Sequence, residues 1–505
     1  MLLWKGYIAL VERTRAFLFK RCHANKGEFI MANQKDAIYN ARELGTVKML
    51  VLGFQHMFAM FGATVLVPLL TGLDIATTLL MAGLGTLLFH LISKGKVPAF
   101  LGSSFAFLGG YAAVAPLAGN GDMTNAQLLP YACLGVGFAG LVYLILAALI
   151  RIVGINKVMK FFPPIVTGPI IISIGLGLAG SAVNNCSANW LIAFIALAIV
   201  VIFNIWGKGM AKIIPILIGV LGSCFVAAVL AIIWGTNVTV DGTEYITLAG
   251  NPNLKLFAVS ALDQLKDAAW IGIPVKWEGT IFGGIEWSNT SLIISSIIAI
   301  VPISLATMME HIGDISAISS TVGKNFIAEP GLHRTLMGDG LATTLSAMFG
   351  GPANTTYGEN TGVLALSKVY DPFVIRIAAV LAVILSLSPK FAALINLIPT
   401  AVIGGISFIL YGMISAIGVR NIVENKVDFT KSRNLIIAAV ILVSALGLGS
   451  AATFSIGSVT ISLSALAVAS IAGIILNAIL PGKDYEFGKD LQGDTAVNFG
   501  SRTEG

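Results

Sequence analysis

The sequence predicts an all-α polytopic membrane protein with about fourteen transmembrane segments in two inverted repeats of about seven segments each. Composition is the first reason: of 505 residues, 56% are hydrophobic and 11% charged, with a mean hydropathy of +0.89. A soluble domain carries roughly 25% charged residues. The second reason is that Lys and Arg recur in alternate loops, as the positive-inside rule requires of a multi-pass protein. The third is an internal repeat. Pro163–Ile170 (PPIVTGPI) aligns with Pro399–Ile406 (PTAVIGGI) at the proline, valine, glycine and isoleucine. Each copy opens a span, and an odd separation of about seven spans makes the two enter from opposite faces.

In chain order, residues 1–46 hold basic residues from Lys5 to Arg42 but no apolar run long enough to span, and read as a cytoplasmic tail. Met31 is a candidate start, since what precedes it lacks the A-x-A site of a signal peptide. Spans are predicted near 47–71 and 75–93, then 128–151, 161–183, 189–206 and 213–234, with a polar interruption at Gly102–Phe107 in the third segment. Lys94, Lys96, Arg151, Lys157, Lys160, Lys208 and Lys212 fall on one side, while the loops at 71–75, 118–127 and 184–189 lack Lys and Arg. This orients the amino terminus inward.

Residues 235–288 are too polar to span and read as an external loop with a hairpin around Asp241-Gly242. Spans resume near 290–319, 335–350, 355–370, 373–389, 399–418, 434–451 and 455–480, with basic loops at 324–334 and 420–433 inside. The polar tail from residue 482 is then also cytoplasmic. The net charge of +6 is accounted for by these inner loops, so no nucleic-acid partner is expected. Cys22, Cys133, Cys186 and Cys224 follow no metal or disulfide spacing.

Within this apolar frame, Pro352–Lys368 (PANTTYGENTGVLALSK) is the wrong composition for its place. A polar, glycine-interrupted, β-leaning stretch at membrane depth is tolerated only where protein or a water-filled cavity surrounds it. Its counterpart in the other half is Gly102–Phe107, and paired interruptions mark a transporter's binding site. Few carboxylates lie in apolar segments. Burying Glu310, Asp314 and Glu359 would cost roughly 7 to 10 kcal/mol on insertion scales, which points to function. Glu310 and Asp314, four residues apart, share a helical face, whereas His311 points about 100° away. A polar helix contact is the alternative for that pair. Asp339 and Asp371 lie near span ends, where helix capping is the expected role. His56 is a candidate proton group or a packing hydrogen bond; His90 reads as structural and His333 as a loop residue. No H-E-x-x-H, G-x-S-x-G or P-loop motif is present, so the chain reads as no enzyme, with no metal or cofactor, and transport would draw on an ion gradient.

Several stretches in order, QHMFAMFGATVLVP (55–68), LGSSFAF (101–107), MEHIGD (309–314), EPGLHR (329–334) and NTTYGENTGVLALSK (354–368), resemble the nucleobase-ascorbate transporter family, or nucleobase:cation symporters, and within it the bacterial uracil permeases. The resemblance covers nearly all of 47–480. It implies short antiparallel strands in segments 3 and 10. It also implies a core domain (47–157 and 289–396), a gate domain (158–234 and 397–481) and a homodimer formed through the gate. By motif position, Glu310 would accept hydrogen bonds from the uracil ring and Glu359 would be the second carboxylate. Backbone groups at Phe105, Tyr357 and Gly358 would meet the base, with Phe105 packing on its ring. Glu310, Asp314, Glu359 and His56 are the proton-coupling candidates. Asp314 stands where some uracil permeases have histidine. The implied activity is proton-coupled uracil import across a bacterial inner membrane by elevator-type movement. A purine or xanthine permease of the same family, or an anion exchanger of the same fold, are the alternatives.

Overall fold

The computed structural model describes residues 37–448, 452–456 and 459–482. Most of the amino-terminal tail, the Met31 start and the tail after Gly482 lie outside the described residues. The first predicted spans are helices α1 (Thr46–Thr71) and α2 (Ile75–Ile92), and Asp74 caps α2 by accepting from the Thr77 N–H at 2.9 Å. Strand β1 (Leu101–Ser103) follows, and a single turn at Phe105–Phe107 leads into the short helix α3 (Leu108–Val114). A Thr124/Gln127 capping box starts α4 (Asn125–Val153). Next come α5 (Pro164–Gly177), α6 (Ala179–Cys186), α7 (Trp190–Trp206) and α8 (Pro215–Trp234).

The region after α8 is more ordered than a loop reading implies. Strands β2 (Gly235–Val240), β3 (Thr243–Leu248) and β4 (Lys255–Ala258) form an antiparallel sheet, followed by helix α9 (Val259–Asp267). The expected hairpin is there: Asp241 and Gly242 both take positive φ, 52° and 78°, as a tight two-residue turn requires.

The second half holds α10 (Thr290–Ile300), α11 (Ser304–Val322), α12 (Leu332–Met348), strand β5 (Asn354–Thr356), α13 (Gly358–Ser367), α14 (Pro372–Ser386), α15 (Pro389–Asn396), α16 (Thr400–Glu424), α17 (Ser432–Gly447), strands β6 (Ala452–Ile456) and β7 (Val459–Leu463), and α18 (Ala465–Ile479). Three expectations are corrected here. The span at 355–370 is a strand and a ten-residue helix. The span at 373–389 turns by 88° into α15. The span at 455–480 begins only at Ala465, because β6 and β7 pair as a hairpin. Among the described residues, seven helices are long and apolar enough to cross a membrane, eight if the bent pair counts as one, and four more apolar helices are shorter.

The helices pack in two sets. In one, α4 lies on α12, α12 on α2, and α14 on both α1 and α2; in the other, α16 lies on α5, α6 and α7, with α17 on α5 and α18. Small residues let the principal pairs approach. A Cβ on Gly140 of α4 would lie 2.6 Å from the Gly340 carbonyl of α12, and one on Gly340 would lie 2.6 Å from the Gly140 carbonyl. In the second set, a Cβ on Gly418 would sit 2.8 Å from the Gly168 carbonyl, and Gly175 meets Tyr411. Residues 168 and 175 thus face 418 and 411, so α5 and α16 run antiparallel. Without a hydrophobic driving force in lipid, such close backbone approach is what holds helices together.

Candidate functional site

The site forms where two segments leave the helical pattern inside the helical packing. Strands β1 and β5 pair antiparallel, with Leu101 opposite Thr356, Gly102 opposite Thr355 and Ser103 opposite Asn354. The pairing extends outward: Ser104 N–H donates to the Ala353 carbonyl at 2.9 Å, and Tyr357 N–H to the Phe100 carbonyl at 3.0 Å. All six strand residues are buried. Two strands leave two open edges, and an open edge away from water is costly. Each is closed by a threonine from the preceding helix. Thr86 of α2 accepts from the Leu101 N–H at 2.9 Å, while Thr343 of α12 donates to the Asn354 carbonyl at 2.9 Å and accepts from its N–H at 3.2 Å.

Helix α1 is the wall behind the crossing. His56, Met60 and Thr64, spaced by four, line one completely buried face. Pro68 has no N–H to give the Thr64 carbonyl, and the Ser103 hydroxyl donates to it instead at 2.7 Å. The Thr64 hydroxyl lies 3.2 Å from that of Tyr357, which donates to the Ser103 carbonyl at 2.9 Å. The Tyr357 ring is therefore a brace beneath the strands, and its backbone is the part at the start of α13. Deeper in α13, Asn360 Nδ2 donates to the His56 carbonyl at 3.0 Å and lies 3.3 Å from His56 Nδ1.

Both strands thus run directly into helix starts. Neither Ser104, before the Phe105 turn, nor Tyr357, before α13, makes a side-chain cap. The first N–H groups of a helix have no partner within it and favour hydrogen-bond acceptors. Gly109, between buried Leu108 and Gly110, and Gly358, after buried Tyr357, are exposed and close to these starts, so both open onto accessible space. From α11, Asp314 reaches in: its carboxylate accepts from the Thr356 hydroxyl at 2.8 Å, and a Cβ on Gly358 would lie 4.0 Å from it. Glu310, one turn earlier, is half-buried on the same face by spacing. Phe105, first in the turn that follows β1, meets Tyr411 of α16 edge-on at 5.9 Å and so touches the second helix set. Glu359 lies in the first turn of α13, but its side chain is outside the described residues.

The expectation for Asp339 is corrected. It does not cap a helix; it lies within α12, fully buried, with Oδ2 3.2 Å from Nδ1 of the equally buried His311. A carboxyl and an imidazole facing each other in a dry core offset part of one another's desolvation. Asp371 does cap, accepting from the Phe373 N–H at 2.9 Å and the Ala41 N–H at 2.8 Å. His90 is structural, with Nε2 2.9 Å from the Ala99 carbonyl. His333 lies in the first turn of α12 and not in a loop. Thr64, Thr86, Thr343 and Tyr411 escaped sequence reasoning, and Asn360 was read only as part of the polar stretch; the four-residue spacing of Thr64 from Met60 and His56 was the one signal available for the first four.

Two crossed strands feeding half-helix starts, with a carboxylate beside them in a multi-pass helical body, define a membrane transporter and not an enzyme. The chain belongs to the Permease family, whose sequence profile (Xan_ur_permease) matches residues 47–456. It is 40% identical over 455 residues to the uracil permease of Bacillus subtilis, covering 88% of this chain and 93% of that protein. It is 39% identical over 445 residues to the uracil permease of Bacillus caldolyticus (86% and 92% covered). With the uracil permease of Escherichia coli the identity is 36% over 439 residues (85% and 90%). Among solved structures, the fold is similar to the transmembrane domain of a cyanobacterium bicarbonate transporter, BicA, with a TM-score of 0.57 at 15% identity over 87% of this chain and 99% of that one. It is also similar to SLC26A9, with a TM-score of 0.58 at 12% identity over 87% and 66%.

Proposed function

We propose that this permease imports uracil with a proton, by elevator movement of a core (47–157 and 289–396) against a gate (158–234 and 397–481). The observation that carries the reading is the strand crossing with Asp314 on Thr356 at the start of α13. Uracil presents two N–H donors and two carbonyl acceptors, so its site needs carboxylates and backbone N–H groups together. Glu310 accepts from the ring N–H groups, Glu359 is the second carboxylate, and the backbone at Phe105, Tyr357 and Gly358 supplies donors to the carbonyls. The ring of Phe105 packs on the base. Neighbouring carboxylates in a low-dielectric site do not all ionise, so one of Glu310, Asp314 and Glu359 carries the coupled proton, with His56 bracing α13 through Asn360. One proton driven by the membrane potential is worth about 2.3 kcal/mol per 100 mV, roughly fifty-fold accumulation. No cofactor is needed.

The same reading has fourteen segments in two inverted repeats, supported by the antiparallel α5 and α16 and by the matching threonine closures of β1 and β5. It places both termini in the cytoplasm, 235–288 outside the cell, the chain in the bacterial inner membrane, and a homodimer at the gate. Exposed Leu221 and Phe225 on α8 suit such a contact or lipid. The fold neighbours favour a second reading, an anion exchanger, but Asp314 beside the α13 start would repel an anion. A purine or xanthine permease is the third, within the family. Competition uptake in proteoliposomes decides among them: unlabelled uracil should suppress labelled uracil entry under an inward proton gradient, while xanthine and bicarbonate should not. Glu310→Ala should abolish uracil binding and Glu359→Gln should reduce uptake severalfold or uncouple it; normal gradient-driven import by both variants would overturn the site.

A further inference from the structure

Away from the strand crossing, at the far ends of α11 and α13, the segment that precedes α1 is bonded to both helices. Ile38 forms a parallel bridge with Val369: its N–H donates to the Lys368 carbonyl at 2.9 Å, and its carbonyl accepts from the Tyr370 N–H at 2.8 Å. Lys368 is the cap residue of α13, left-handed with φ 54°, so the bridge begins where that helix stops. The next residue turns to α11. The Tyr39 hydroxyl donates at 2.8 Å to the carbonyl of Val322, the last residue of that helix. The last carbonyls of a helix lack a partner within it, so Tyr39 supplies a bond that α11 cannot make for itself. The Tyr39 ring lies 5.5 Å from that of Tyr370 and carries the Lys324 ammonium over its face at 4.3 Å. Ala41, fully buried, donates from its N–H to Asp371 at the start of α14 at 2.8 Å and packs with Val369 and Val374, with Ile38 and Leu44 against them.

Helices α11 and α13 are the two that bring carboxylates to the crossing. Val322 is eight residues beyond Asp314, and Ser367 eight beyond Glu359, about 12 Å of helix in each case. Both helices therefore run away from the crossing in the same direction and end on adjacent residues of one segment. We infer that residues 38–41 are a clasp that fixes the spacing of α11 and α13, and that Tyr39 is a positioning residue, acting on the site only through these helices. Its effect on substrate rests on uracil binding at the crossing; the clasp itself does not.

The test pairs a distance with an affinity, both on the full chain. With Cys22, Cys133, Cys186 and Cys224 replaced, spin labels at Ala317→Cys on α11 and Ala365→Cys on α13, both exposed positions, report the separation of the two helices. Labelled uracil reports binding. The parent protein should give one narrow distance, which Tyr39→Ala should broaden. Tyr39→Phe keeps the ring on Tyr370 and loses the bond to Val322. It should weaken uracil binding about fivefold, the value of one hydrogen bond. Tyr39→Ala should weaken it further, while Glu43→Gln, an exposed change in the same segment, should alter neither distance nor affinity. Tyr39 is 39% exposed, and Tyr39→Phe carries the test if Tyr39→Ala does not fold. An unchanged distance in the folded Tyr39 variants would overturn the clasp, whatever uracil does. Broadened distances with undiminished uracil affinity would uphold the clasp and overturn instead both the positioning role of Tyr39 and the placing of the uracil site between these helices.

Discussion

At Gly102 an added Cβ would lie 2.7 Å from the Thr64 hydroxyl and against the ring of Tyr357, which two hydroxyl contacts pin in place. Gly102→Ala therefore forces the strands apart or the ring out of its seat, an overpacking cost of about 1 to 3 kcal/mol. It should lower both thermal stability and uptake. Gly109→Ala, whose Cβ would meet nothing, should leave stability unchanged. Equal melting temperatures for the two variants would mean that Tyr357 is not the brace described. The chemistry at this scale was partly legible: Asp314 stood out because a carboxylate in an apolar run is expensive. Asp339 was misread because its partner, His311, is distant in sequence and packs from another helix. Periodicity along one helix says which face a residue takes, never what the facing helix offers.

Helix α1 and strand β1 depend on each other through one missing hydrogen bond. Pro68 leaves the Thr64 carbonyl free, and Ser103 fills the place. Ser103→Ala should therefore cost about 1 to 3 kcal/mol by orphaning a buried carbonyl. In a Pro68→Ala background the restored helical N–H reclaims it, and the same Ser103→Ala change should cost less. Thermal unfolding of the four proteins in the cycle measures the coupling; strictly additive losses would show that the two are independent. Elements were legible where the apolar run was long: α1, α2, α4 and α16 fall close to their predicted spans. The start of the last span was not. Ala452–Leu463 is as apolar as a helix, and hydropathy does not tell a β-branched hairpin from one. The 88° turn between α14 and α15 was missed within the apolar run, although Ser388-Pro389 marks it: the Ser388 side chain caps α15 by accepting from the Phe391 N–H.

Across the whole molecule, the proposed elevator would require one set of helices to slide on the other, and the seam between them is where such a movement is tested. Gly62 of α1 and Ile216 of α8 meet there: a Cβ on Gly62 would lie 3.1 Å from Cβ of Ile216. Gly53 of α1 and Ile377 of α14 meet as closely, with a corresponding distance of 3.0 Å, but inside one set. Both separations are near the Cβ–Cβ distance of a disulfide, about 3.5 to 4.5 Å, and need only a small adjustment. With Cys22, Cys133, Cys186 and Cys224 replaced, Gly62→Cys with Ile216→Cys should cross-link on mild oxidation. Uptake should then fall to background and return on reduction. Gly53→Cys with Ile377→Cys should cross-link equally well and keep transporting, because in the proposed elevator that bond lies within one body. Mass spectrometry of the intact chain counts the cross-links, so uptake can be read against the fraction bonded. Full transport by the seam-linked protein would rule out sliding at that contact. Arrest by both bonds would point instead to a movement within the α1, α2 and α14 packing, and the two sets could then no longer serve as the rigid parts.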